Sequence, residues 1–159
     1  MKGNHVERTA RLSLCRTYRY ELWRRWGDGP FCMFIGLNPS TADETADDPT
    51  IRRCVGFAKA WGFSALCMTN LFAFRATEPQ DMKKALDPIG PDNDRTVEAL
   101  AEQAGVVVAA WGADGVFLKR DVYAKLFVDR LHYLRLTKHG HPGHPLYLPG
   151  DLTPQAWRL

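Results

Sequence analysis

Three nearly continuous apolar runs constrain the fold most: FCMFIGL (31–37), SALCMTNLF (64–72) and GVVVAAWG (105–112). Runs this short and this apolar predict strands covered on both faces. The segments between them have helical spacing. Over 48–61, Ile51, Cys54, Val55, Ala58 and Trp61 recur on one side. Asp48 is placed to cap that helix, Pro49 suits its first position, and Gly62 suits its end. Further helices are predicted over 79–86, over 94–104 after Asp92 or Asn93, and over 114–131. The last is expected to bury Phe117, Tyr123 or Ala124, Leu126, Phe127 and Leu131. HYLRLT (132–137) reads as a fourth strand, and the proline- and glycine-rich tail as loop. Residues 17–26 alternate and are rich in aromatics, which predicts an additional strand forming a hairpin with 31–37 across Gly27-Asp28-Gly29-Pro30.

This alternation predicts one α/β domain over 1–159. Its three α/β/α layers enclose a central, mainly parallel four-stranded sheet with an N-terminal strand or hairpin. The 159 residues suffice for a single core without a metal or disulfide staple. No window of 18 residues is continuously apolar, so no membrane partner is expected. The polar start, MKGNHVERTARLS, lacks the apolar centre of a secretion signal, and a cytoplasmic location is expected. No protein partner is inferred.

The net charge of +3 is too small to indicate a nucleic-acid binder. Its distribution is uneven. Residues 1–26 carry seven basic and two acidic side chains, whereas Asp43, Glu44, Asp47 and Asp48 form a short acidic run. The basic segment is compatible with phosphate contact or with an ordinary solvated surface. The four cysteines, at 15, 32, 54 and 67, contain no close pair and read as reduced core or near-core thiols.

In parallel sheets, ligands bind beyond the carboxyl ends of the strands. That rule selects Gly36-Leu37-Asn38-Pro39-Ser40, Asn70, Trp111-Gly112 and the loop 138–147. GxGxxG, GxxxxGK[ST] and GxSxG motifs are all missing from the sequence, against the common dinucleotide, P-loop and nucleophile-elbow chemistries. Asn38 sits in an Asn-Pro turn. Asn70 interrupts an apolar strand, as a loop anchor or as a reader of a ligand's polar edge. Its carboxamide offers two donors and an acceptor, which suits a nucleobase. Trp111, Phe72 and Phe74 offer stacking surface or core.

His139, His141 and His144 fall within KHGHPGHPLY. They can serve as metal ligands with Asp43, Asp47 or Asp48, as an acid–base or electrophilic group, or as part of a proline-stiffened turn. No metal and no cofactor is assigned. Asp43, Asp47, Asp48, Arg52 and Arg53 form a possible second site, or an acidic turn with helix-capping carboxylates.

Together these motifs resemble the uracil-DNA glycosylase superfamily. Residues 36–40 resemble its first motif, 69–75 the strand whose Asn reads the base, 106–112 its third strand, and His141-Pro142-Gly143-His144-Pro145-Leu146 its His-Pro-Ser-Pro-Leu motif. A nearer likeness is to an uncharacterised bacterial and phage family with Leu-Asn-Pro-Ser-Thr-Ala-Asp and Gly-His-Pro-x-His-Pro-Leu-Tyr signatures.

The superfamily resemblance implies cleavage of an N-glycosidic bond, with a nucleobase-containing ligand in DNA or as a nucleoside. In that case His141 or His144 stabilises the departing base, Asn38 positions water, and Gly36, Leu37, Pro39, Ser40, Asn70, Phe72 and Trp111 bind substrate. Leu146 and Tyr147 are candidates for the residue that wedges into DNA. The alternatives are a non-catalytic nucleotide- or nucleic-acid-binding module and a metal-dependent hydrolase using 43–48 and the histidine loop.

Overall fold

The computed structural model describes residues 5–159. Seven strands form one mixed sheet in the order β1-β2-β4-β3-β5-β6-β7. They are β1 (Glu7–Leu12), β2 (Arg19–Arg25), β3 (Phe31–Gly36), β4 (Ala65–Asn70), β5 (Val106–Ala109), β6 (Leu131–Tyr133) and β7 (Gln155–Ala156). The fold is α/β, but the sheet is larger and more mixed than expected. The pairings β4–β3, β3–β5 and β5–β6 are parallel, whereas β1–β2, β2–β4 and β6–β7 are antiparallel. The unpredicted strands β1 and β7 lie at the two edges, where half-exposed polar sequences carry little apolar signal.

The expected hairpin between 17–26 and 31–37 does not form. β2 turns back on β1, then pairs along its other side with β4, from Leu22 opposite Met68 to Arg25 opposite Ala65. The turn after β2 is held locally: Arg25 donates to the Gly27 and Gly29 carbonyls at 2.8 and 3.0 Å.

Alternate residues of β3 face opposite cores. Cys32 and Phe34 pack with Ile51, Cys54 and Phe57 of α1 (Pro49–Ala60). Met33 and Ile35 pack with Met82 of α2 (Pro79–Lys83), Val97 and Ala101 of α3 (Asn93–Gln103), and Ala124 of α4 (Arg120–Phe127). Helices therefore cover both faces of the central strands, which explains why these strands are apolar throughout.

The helix expected over 114–131 is broken. A 3₁₀ segment over Ala113–Lys119 precedes α4, because Leu118 and Lys119 adopt φ of 52° and 56°. Two successive left-handed residues cannot continue a right-handed helix. The break rotates the apolar face, leaving Leu126 and Phe127 70% and 60% exposed instead of inward. β6 is likewise shorter than the expected strand 132–137. Cys32, Cys54 and Cys67 are buried, but Cys15 is exposed, in the turn between β1 and β2. Among the described residues, no helix is long and apolar enough to cross a membrane.

Candidate functional site

A cleft of about 700 Å³ opens at the carboxyl ends of β3, β4 and β5. This lies within the size range of small-molecule sites, roughly 300–1,000 Å³. Its walls come from the segment after β3, the N-terminus of α1, the loop after β5 and the His144–Tyr147 segment.

The strand ends are joined beyond the sheet itself. The Leu71 and Phe72 amides donate to the Gly36 and Leu37 carbonyls at 2.9 Å, and the Ala76 amide donates to Pro39 at 2.9 Å. Asn38 fixes this junction by donating from Nδ2 to the Ala76 carbonyl at 2.8 Å. Its Oδ1 receives no hydrogen bond within the described chain and is available as an acceptor.

Asn70 closes β4 and lines the cleft while only 2% exposed. Among the described residues its Nδ2 has no hydrogen-bond partner. An unpaired buried amide costs about 1–3 kcal/mol. Gly36 makes room for it: a Cβ at position 36 would stand 2.7 Å from Asn70 Oδ1 and 2.8 Å from Met68 Cε. Behind the cleft, Asn93 is also buried, but its Nδ2 donates to the Asn70 and Leu71 carbonyls at 2.8 and 3.0 Å. Asn93 therefore anchors the strand end through its donors, with its Oδ1 unpaired, whereas Asn70 Nδ2 is left unpaired at the cleft.

The structure separates the two candidate histidines. His144 lines the cleft; His141 does not. The Thr137 amide donates to the His141 carbonyl at 2.7 Å, Leu136 bridges to Pro142, and the Gly112 amide donates to Pro142 at 2.9 Å. These bonds place His141 in the turn leading up to the cleft wall. At His144, Nδ1 accepts the Leu146 amide at 3.2 Å. A neutral ring in this arrangement carries its proton on Nε2. Burial lowers the His144 pKa, opposed by the nearby Asp48 carboxylate. His144 is thereby set as a neutral Nε2–H donor. Arg53 holds its loop, donating from Nε to the Pro145 carbonyl at 3.2 Å and from Nη2 to Leu148.

Other expected site residues separate. Phe72 is fully buried against Phe117, with ring centroids 5.5 Å apart, and does not line the cleft. Trp111 lines it but is only 3% exposed and packs on Trp157. It supplies a wall more than a stacking platform. Gly36, Leu37, Pro39 and Ser40 all line the cleft.

The proposed second site over 43–53 does not assemble. Asp43 closes its own turn by accepting the Thr45 and Ala46 amides, each at 2.9 Å, which hold its carboxyl below its usual range. Asp47 pairs with Arg24 at 2.8 Å. Asp48 caps α1 through Ile51 N at 2.9 Å, and only this acid of the three lines the cleft. Arg52 and Arg53 flank a separate, more open groove beside Leu146 and Gly150. Among the described residues, no three His, Cys, Asp or Glu side chains gather in metal-binding geometry.

The N-terminal basic segment and the acidic run fold onto each other. Arg16 meets Glu44 at 2.6 Å and Asp43 at 3.6 Å, and Arg8 meets Asp47 at 3.6 Å. Much of the basic edge expected from the sequence is therefore neutralised within the chain. Two arginines of that segment escape this pattern: Arg25, which donates to the Gly27 and Gly29 carbonyls, and Arg19. Arg19 is 2% exposed and lines the cleft, with no carboxylate within 4.0 Å among the described residues. Sequence reasoning counted Arg19 with the surface charge. Only its position inside an aromatic, alternating strand hinted at burial.

The matched family spans residues 19–146, from Arg19 through the His144 loop, and is described as a protein of unknown function (DUF1643). The chain belongs to this family. The match agrees with the likeness to an uncharacterised family and carries no link to uracil-DNA glycosylases. No curated protein and no solved structure matches the chain. The DUF1643 match contains almost the entire cleft wall, omitting β1 and β7 at the sheet edges.

Proposed function

We propose that this DUF1643 protein hydrolyses the N-glycosidic bond of a small nucleobase-bearing molecule. The observation that carries the reading is the buried Asn70 carboxamide, its Nδ2 unpaired among the described residues, in the cleft it shares with His144. A nucleobase edge supplies both acceptors and donors to a carboxamide. In the proposed reaction the C–N bond breaks with its electron pair going to the base. Oxygen of a water held by Asn38 Oδ1 bonds to the anomeric carbon. His144 donates from Nε2 to the base oxygen as negative charge develops there, and the water's proton leaves to the base or to solvent.

A small ligand is favoured over DNA because the expected basic edge is paired with the acidic run. A second reading, binding without turnover, is favoured by Asn38, whose amide cannot take a proton from water near neutral pH.

The test is release of free base from a panel of nucleosides, nucleotides and base-modified oligonucleotides, with chelator present. Release from a small substrate, lost in Asn70→Ala and His144→Asn, is the expected result. Binding without base release would overturn the hydrolase in favour of the binding module. Release only from oligonucleotides would overturn the small-molecule assignment.

A further inference from the structure

Arg19 has an unusual environment for a buried arginine. Its Nη1 donates to the Ala42 carbonyl at 3.1 Å, its only side-chain hydrogen bond among the described residues. Nε is buried without a partner. Four other arginines of the segment have carboxylate partners: Arg24 meets Asp47, Arg16 meets Glu44, Arg11 meets Glu21 and Arg8 meets Asp47, while the part-buried Arg25 donates to the Gly27 and Gly29 carbonyls. A buried guanidinium without a paired anion is costly. The desolvation is strong enough to bring its pKa down to about 10, still charged at neutral pH.

A second uncompensated cation increases that cost. Arg75 has a buried, unpartnered Nε and weak contacts at 3.4 Å to the Arg16 and Thr41 carbonyls. Among the described residues it too has no carboxylate within 4.0 Å. Arg19 faces the cleft and Arg75 the adjoining groove, and Ser40 and Thr41 line both. The two guanidinium groups repel one another, while Asp48 attracts Arg19 from the N-terminus of α1. Asp48 Oδ1 is already engaged by the Ile51 amide.

We propose that Arg19 and the Ser40–Thr41 hydroxyls form an anion subsite of the cleft, with Arg75 adding positive potential, and that it takes a phosphate monoester. The substrate class is then a nucleoside monophosphate instead of a free nucleoside. The phosphate site rests on Arg19 and its neighbours, whereas its assignment to a nucleotide rests on the nucleobase reading above. A guanidinium and hydroxyls suit phosphate oxygens, since charged donors form the stronger hydrogen bonds.

The test uses the full chain, with thermal unfolding and calorimetric titration at matched ionic strength. Inorganic phosphate is expected to raise Tm where chloride and acetate do not. A nucleoside 5′-monophosphate is expected to bind about tenfold or more tightly than its nucleoside, in competition with phosphate. Arg19→Gln should remove both effects, and the exposed-site control Arg95→Gln should keep them. The wild-type phosphate titration does not depend on a variant folding. No phosphate effect beyond chloride would overturn the subsite, and an equal effect of acetate would overturn the phosphate assignment. Phosphate binding with no binding of any nucleoside or nucleotide would support the subsite and overturn the nucleobase reading. Equal binding of nucleoside and monophosphate would do the reverse.

Discussion

The face formed by β2 and the 43–48 turn holds a buried arginine, and so does the cleft, but the two are treated differently. Arg24, 1% exposed, donates to Asp47 at 2.8 Å and to the carbonyls of Trp23, Asp43 and Ala46. Arg19, five residues earlier on the same strand, has one carbonyl and no ion pair. Two buried asparagines differ in their donors among the described residues: Asn93 places both bonds from Nδ2, although its Oδ1 is buried without a partner, and Asn70 has none from Nδ2. Burial with partners holds the fold together. Buried donors without partners, repeated along one cavity at Arg19 Nε and Asn70 Nδ2, mark groups kept for a ligand despite their cost to stability.

The largest expected effect lies on the satisfied side. Arg24→Met leaves Asp47 with only the longer Arg8 contact at 3.6 Å and takes a donor from three carbonyls, and should cost about 3 kcal/mol in urea unfolding. A loss below about 1 kcal/mol would remove the distinction between the two regions. Next, His144→Asn keeps an acceptor for the Leu146 amide but deletes the Nε2–H. Base release should fall roughly 10²–10³-fold, the usual effect of losing one preorganised donor. His141→Asn should leave the rate unchanged, and equal losses in the two variants would break the assignment of the donor to His144. Gly36→Ala drives a methyl against Asn70 Oδ1 and Met68 Cε. It should cost about 1–3 kcal/mol and weaken ligand binding in the same variant. Unchanged binding would show that the placement of the Asn70 carboxamide is unimportant.

The smallest effect concerns the exposed turn, with no consequence for stability. Cys15 bonds Thr17 Oγ1 at 3.0 Å, and its thiol pKa is lowered to about 7, chiefly by this contact. Burial holds the other three thiols up. A thiol reagent near pH 7.5 should therefore modify one cysteine rapidly in the folded chain and the other three only after unfolding.

Elements with local signals were readable from the sequence. Asp48-Pro49 announced α1, and its Oδ1 does accept the Ile51 amide. The apolar runs announced β3, β4 and β5, whose carboxyl ends form the cleft. Features decided by distant partners were not readable. β2 pairs with β4 far along the chain, from Leu22 opposite Met68 to Arg25 opposite Ala65, and nothing local to TYRYELWRRW distinguishes that from a hairpin with β3. The choice between His141 and His144 depends on bonds from Thr137 and Gly112. The opposed charges of the N-terminal segment and the acidic run were visible, but their mutual pairing was not. Arg19 stood out only once Arg24 had found the Asp47 carboxylate and Arg25 two turn carbonyls.

Urea unfolding of Arg19→Met in ligand-free buffer decides whether Arg19 is kept for a ligand or for the fold. A midpoint equal to or above that of the wild type is expected, because an unpaired buried charge gives way to an apolar side chain of similar length. A loss of stability comparable to that of Arg24→Met would contradict this, and would place Arg19 among the groups that hold the fold together.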